Sequence, residues 1–429
     1  MLKVAGKPHS PGEGFVNGGL LARLPAVAIF YVLLILPFLP DDGKGRVENI
    51  LFWPLMAILA VTLFLRDRAR ADSGFFRSLP ISSLLAYVAF SALSVTWAYS
   101  PDLAFSRLLV QALALVVILL PNAIRGRTKS AMPGVYLCLV GAIAVSCFFV
   151  LTTPPSPIGH PGYFTHKQEL GLLAAIGIIT SGYELLQGGW RRVVAVVTMG
   201  LAFWLVIESE SKRALAFAVF SLGCSWAILL VCKMTRLTPA IIVGTVVIAS
   251  IFVSNPIERL GYRMYGDASL TGRTGIWAYI DYQISHRPWF GWGFHSYYFV
   301  PNSPHANAPG YVREMPSSHS GYMELKLETG RIGYWLFLIS IYASLHLLER
   351  VRRIDPVRAW FYLSFQLFAV LINLTDSGWF ILSALWMLYA LVVAEAVRIA
   401  LSSQVPAEAN NQLAGRPKPR APRLSRGTS

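Results

Sequence analysis

Charge is scarce in this chain. Of its 429 residues only 14% are Asp, Glu, Lys or Arg, against about 25% in an ordinary soluble protein. Acidic residues are the scarcer kind, 22 against 37 basic ones. Cysteine is nearly missing. Cys138, Cys147, Cys224 and Cys232 are the only four, and each lies within or at the end of an apolar run. They have no metal-ligand spacing and read as small core residues, with no disulfide expected. The sequence also lacks H-E-x-x-H, G-x-S-x-G and the P-loop pattern, which removes the common zinc-hydrolase, serine-hydrolase and phosphate-loop chemistries. No metal site or other cofactor is expected.

What the chain has instead is apolar sequence, 55% hydrophobic overall. The apolar residues come in runs near 20 long, not in the alternation of barrel strands, so the class is an all-α polytopic membrane protein. Candidate spans are Leu24–Leu39, Ile50–Leu65, Leu79–Trp97, Leu103–Leu120, Val135–Leu151, Leu170–Leu186, Val193–Ile207, Ala214–Val231, Pro239–Val253, Tyr334–Leu348, Ala359–Leu374 and Phe380–Leu401, about twelve helices. The organisation that follows is an N-terminal segment 1–23, spans one to nine over 24–253, a large polar segment 254–333, spans ten to twelve over 334–401, and a basic tail 402–429 that reads as disordered.

The loops orient this arrangement. One alternate set carries Arg66, Arg68, Arg70, Arg77, Arg125, Arg127, Lys129, Arg191, Arg192, Lys233, Arg236, Arg350, Arg352, Arg353 and Arg358; the other carries only Lys44, Arg46, Lys167, Lys212 and Arg213. Fifteen against five puts the first set, and both termini, in the cytoplasm. The formal net charge of +15 then reads as a topology signal and an attraction to anionic lipid, with no nucleic-acid partner implied. The outer face holds His160, His166, His286, His295, His305 and His319, six of the eight histidines. Chemistry or binding is therefore expected on that face. The segment 254–333 is too short for a large core of its own. It is rich in aromatics, which suits short amphipathic helices at a membrane interface, although aromatic faces also stack on sugars.

Four outer-face stretches carry candidate chemistry: G-Y-F-T-H-K-Q-E-L-G from Gly162, S-E-S-K-R-A from Ser209, G-R-T-G-I-W from Gly272, and H-S-G-Y-M-E-L-K-L-E-T-G from His319. Arg213 stands at a helix start, where backbone N–H groups and a guanidinium can converge on one anion. Arginine grips phosphate at two points, which lysine cannot copy. Against that, Arg213 could simply snorkel to headgroups, and Arg273 could be a surface charge on an amphipathic helix. His319 follows Pro316, Ser317 and Ser318, either serine being a candidate helix cap. A neutral imidazole there can take a proton from an alcohol, though spacing alone favours a hydrogen-bonded structural histidine. Glu328 and Arg331 are placed to pair at i,i+3. Ionisable residues deep in the spans are few, which disfavours a proton-coupled transporter, the outside alternative.

Together, in this order and on one face, these motifs resemble the O-antigen ligase and polymerase superfamily of bacteria, including exopolysaccharide polymerases. The likeness runs from about Tyr163 to Trp379 and is strongest in G-R-T-G-I-W, P-W-F-G-W-G-F and H-S-G-Y-M-E-L-K-L-E-T-G-R-I-G. It implies a metal-independent glycosyltransferase of the inner membrane, with its active site at the periplasmic face. The implied donor is a glycan on polyprenyl pyrophosphate and the acceptor a sugar hydroxyl, on a second such glycan or on lipid A core. By the same resemblance His319 is the base, Arg213 and Arg273 hold the pyrophosphate, and His166, Lys167, Lys212 and Glu324 bind substrate. A flippase, a chain-length regulator and membrane lipids are the implied partners. Gln168 and Ser320 depart from the asparagines common at those places in the family.

Overall fold

The computed structural model describes residues 19–39, 47–125, 130–252 and 273–402. Most of the N-terminal segment, nearly all of the basic tail and the first part of the polar segment, with Tyr262 and Tyr265, lie outside the described residues, as do Lys44, Arg46, Arg127 and Lys129. The described chain is helical. In order, the helices are α1 Leu20–Phe30, α2 Val47–Arg66, α3 Ser73–Arg77, α4 Leu79–Ser94, α5 Pro101–Leu119, α6 Met132–Thr152, α7 Lys167–Leu185, α8 Gly189–Glu208, α9 Lys212–Thr235, α10 Pro239–Phe252, α11 Arg273–His286, α12 Gly321–Ile354, α13 Pro356–Ile372 and α14 Ala384–Ser402. Helix is what such sequence must form in lipid, because only helices and closed barrels satisfy their own backbone groups there.

Each of the twelve apolar runs falls on a helix, α1 being extended by a π-helical and a 3₁₀ turn to Phe38. Among the described residues nine helices are long and apolar enough to cross a membrane, and Pro356–Ile372 is a shorter apolar helix. Twelve crossings are therefore not established, only twelve helices where crossings were expected. In α14, 83% of the apolar window is buried, against 17% in α2, which places α14 inside the bundle and α2 at its rim. The sequence of α14 is apolar nearly all round, as an enclosed helix must be. Its one carboxylate, Glu395, accepts hydrogen bonds from Ser130 Oγ, the Ala131 N–H and, at 2.6 Å, Tyr362 OH. A buried charge is tolerable when satisfied in this way. Glu184 at the C-terminal end of α7 is likewise held at two points by Arg191, both contacts at 2.7 Å.

The helix α12 positions the candidate site. It has 34 residues, about 50 Å at 1.5 Å per residue, well beyond the ~30 Å of a bilayer core. It is broken at Gly330, whose backbone (φ 63°, ψ −166°) is in a region nearly closed to other residues. The break frees backbone groups, and the loop after α11 takes them up. Trp292 N–H donates to Leu327 O (2.8 Å) and Gly293 N–H to Glu328 O (2.9 Å), while Arg331 N–H donates to Pro288 O (2.8 Å) and Ile332 N–H to Trp289 O (3.3 Å). This is why P-W-F-G-W-G and E-T-G-R-I-G belong together. A Cβ on Gly330 would overlap the Trp289 carbonyl, and one on Gly291 the Glu328 carbonyl. The same break corrects the expected Glu328–Arg331 pair. Glu328 turns to His295, and Arg331 stacks over the Trp289 ring at 5.3 Å.

Beyond this break the polar segment has a small core of its own, with Ile276, Ile280, Ile284, Trp292, Tyr297, Val312 and Leu327 among its members. It is anchored to the bundle by Phe294 N–H on Ser94 Oγ (3.0 Å) and by Arg107 Nη1 on His295 O (2.5 Å).

Candidate active site

The loop Pro316–Ser320 is tied down on three sides. Ser318 N–H donates to Glu324 Oε1 at 2.5 Å, and Trp277 Nε1 donates to Ser318 O at 2.9 Å. The N–H of Gly321, at the start of α12, donates to both Asn373 O (2.9 Å) and Asp376 O (2.8 Å). A Cβ at that glycine would overlap Asn373 Oδ1 and crowd Trp379, so the close approach requires glycine. The serines expected to cap α12 act one step earlier. Ser317 Oγ accepts from His319 N–H (3.3 Å) and Ser318 Oγ from Ser320 N–H (3.2 Å), while Ser320, the N-cap residue, makes no side-chain cap. Between them His319 is held at φ +54°, a strained conformation for a non-glycine residue and one that clusters at functional sites.

Three sequence-predicted residues, Arg273, Arg213 and His166, act on a fourth, His319. Burial, then Arg273, pushes the His319 pKa below the ordinary histidine range; Asp376 works against them, and Arg213 and His166 add to the lowering. The imidazole is thus neutral near pH 7, and its Nδ1 makes no hydrogen bond within the protein. Arg273 is only 8% exposed, which removes the reading of it as a surface charge. Arg213, in the first turn of α9, donates from Nη1 to Thr375 O at 2.5 Å, which ties α9 to the loop after α13. His166 is the N-cap of α7, its side chain accepting from Gln168 N–H at 3.2 Å. The turn before α9 can lie against α7 because Gly171 leaves room; a Cβ there would overlap Ser211. Lys167 lies nearby but bonds the Ile158 carbonyl of its own loop. Lys212 is exposed. Glu324 holds the His319 loop and also receives Ser377 Oγ at 3.4 Å.

The other described histidines have structural partners. His160 accepts from Gly162 N–H at 2.8 Å, and His305 is buried between Phe299 N–H and Val312 O. His286 bonds Tyr282 O at 2.8 Å, and His346 lies 3.2 Å from Thr238 Oγ1. Burial, then Arg107, holds the His295 pKa down to about 4, against a backbone hydrogen bond with Phe380 that raises it. Its 3.6 Å approach to Glu328 is therefore a contact of a neutral ring, not an ion pair. Among the described residues no group of three or more His, Cys, Asp or Glu is placed to hold a metal ion.

Sequence reasoning missed Asp376, Arg107 and Tyr298. Asp376 had a readable signal, a carboxylate in a very short loop between two apolar runs. Arg107 and Tyr298 had none, because what they touch lies far along the chain.

A family model described as O-antigen ligase matches residues 194–338. The match takes in most of α8, α9, α11 and the first half of α12, and with them Arg213, Arg273 and His319. Over that third of its length the chain is similar to O-antigen ligases, which supports the likeness to the O-antigen ligase and polymerase superfamily and a membrane enzyme of that type. No curated protein matches the chain.

Proposed function

We propose that the protein is a membrane glycosyltransferase that moves a glycan from polyprenyl pyrophosphate to a sugar hydroxyl, joining lipid-linked units into a surface polysaccharide. The observation that carries this is the convergence of a neutral, strained histidine with Arg213, Arg273 and His166 at one end of the bundle. Pyrophosphate is already a good leaving group, so the enzyme must chiefly neutralise it and deprotonate the acceptor. His319 takes the proton of the acceptor hydroxyl as its oxygen bonds to the anomeric carbon. The bond from that carbon to the phosphate oxygen breaks, and the pyrophosphate leaves with the electron pair toward Arg213 and Arg273. All the charge in this scheme comes from side chains, and no metal step is invoked. The positive-inside bias supports an inner-membrane protein with both termini cytoplasmic and this site on the periplasmic face.

The test is purified protein given one polyprenyl-pyrophosphate-linked oligosaccharide and no other acceptor. A ladder of longer lipid-linked glycans is expected. Product that forms only after lipid A core is added would make the enzyme a ligase. No product from intact donor and folded protein under either condition would refute glycosyl transfer.

A further inference from the structure

A cavity of about 500 Å³ lies between α2, α5, the first turns of α12 and the loop after α13. Pro316 and Ser317 form part of its wall, so it lies beside the His319 loop; His319, Arg213 and Arg273 are not part of its lining. Five side-chain atoms of lining residues are buried without a hydrogen bond of normal geometry. They are Tyr87 OH, Gln111 Oε1, Tyr298 OH, Glu324 Oε2 and Trp379 Nε1. Tyr298 and Glu324 reach each other, Tyr87 reaches Ser91 and Thr329, and Trp379 reaches Tyr322. Gln111 Oε1 is thus the one among them with no partner among the described residues. The five come from α4, α5, the loop after α11, α12 and the loop after α13, so no local misfit of one element explains them. Buried polar atoms are usually satisfied, and each exception calls for a reason. Donors and acceptors of both kinds around one chamber are what a polyhydroxylated ligand would satisfy.

Charge narrows the ligand. Glu324 and Glu328 both line the cavity. Burial pushes the Glu324 pKa up to about 7, burial and then Glu324 push Glu328 well above the ordinary carboxylate range, and His295 is neutral. Among the described lining residues Arg107 is the one cation, and its Nη1 donates to the His295 carbonyl. A pyrophosphate would meet two acidic side chains here and no cradle of cations, whereas Arg213 and Arg273 stand outside the lining. The rim is apolar, with Ile50 and Leu109 exposed, so the chamber is open to a sugar that arrives attached to a lipid.

Resting on the glycosyltransferase reading above, we propose that this cavity seats the terminal sugar of the acceptor, the one that carries the attacking hydroxyl. Donor pyrophosphate and acceptor sugar then reach His319 from separate compartments.

The test uses the full-length protein in nanodiscs and the variants Tyr298→Phe and Gln111→Leu. Both keep side-chain volume close to native. Gln111 Oε1 bonds no part of the His319 loop, while Tyr298 touches Glu324, which holds it, so Gln111→Leu is the deciding variant. In two-substrate kinetics each variant should raise the acceptor KM about tenfold, the size of one lost hydrogen bond to a buried group, and leave the donor KM unchanged. A rise in the donor KM, or a loss confined to kcat, would overturn the proposal. Binding is read separately by saturation-transfer NMR, with the lipid-free oligosaccharide released by mild acid from the host's own lipid-linked glycan. Wild type and His319→Ala should bind it, both variants about tenfold more weakly, and added inorganic pyrophosphate should not displace it. Binding equal in wild type and variants, or none to wild type, rejects the cavity as a sugar site. A wild type that binds the oligosaccharide in this way but turns over no donor leaves the cavity standing and sinks the glycosyltransferase reading instead.

Discussion

Replacing Gly330 with alanine should damage this protein more than any replacement at an open helical glycine. The backbone at Gly330 (φ 63°, ψ −166°) costs a non-glycine residue about 1–3 kcal/mol. The new Cβ would also overlap the Trp289 carbonyl, so the loop 288–293 must move away. Four hydrogen bonds join that loop to α12 across the break. Losing two of them, at roughly 1 kcal/mol net each, brings the total to about 3–5 kcal/mol. For a chain of this size that is a fall in Tm of roughly 3–6 °C, readable by size-exclusion fluorescence of detergent-solubilised protein after heating. Gly200→Ala and Gly223→Ala are the controls, since a Cβ at either meets nothing within 4 Å and alanine is the better helix former. They should hold or raise the Tm. A Gly330→Ala protein that melts with wild type and keeps its activity would show that the break in α12 is not needed.

Three further outcomes follow from the site. With the His319 pKa lowered, first by burial and then by Arg273, the acid limb of kcat/KM should lie below pH ~6.5, the ordinary histidine value. Asp376 raises that pKa, so Asp376→Asn should move the limb to still lower pH; an upward shift would contradict the assignment. Arg213→Lys keeps the charge but loses the planar grip on phosphate, and should weaken competition by inorganic pyrophosphate about tenfold or more, measured against labelled donor. Gly321→Ala, by displacing Asn373 and Trp379 from the start of α12, should cut kcat at least about tenfold with the far-ultraviolet circular dichroism unchanged.

The helices were legible because lipid leaves a chain few options: an apolar run near 20 residues has to be helical. The motifs were legible too, and in the fold Arg213, Arg273 and His166 all act on the pKa of His319. What could not be read is whatever depends on a partner far along the chain. Gly330 looked like one more helix residue in E-T-G-R-I-G, because the carbonyl that forbids a side chain there belongs to Trp289. The i,i+3 spacing of Glu328 and Arg331 misled for the same reason, since spacing rules hold only in an unbroken helix. Arg107 lies in α5, and only the fold brings the His295 carbonyl to it. Lys167 and Lys212 shared motifs with His166 and Arg213, yet one is taken by its own loop and the other is exposed. A motif marks a neighbourhood and does not say which of its side chains face the reaction.

The most direct test of the account is the release of polyprenyl pyrophosphate from lipid-linked oligosaccharide, followed in wild type and in His319→Ala with donor and acceptor saturating. The account predicts release that depends on the acceptor and falls at least about a hundredfold in His319→Ala, the scale of general-base catalysis, while donor still binds. Release at the wild-type rate from His319→Ala would contradict it.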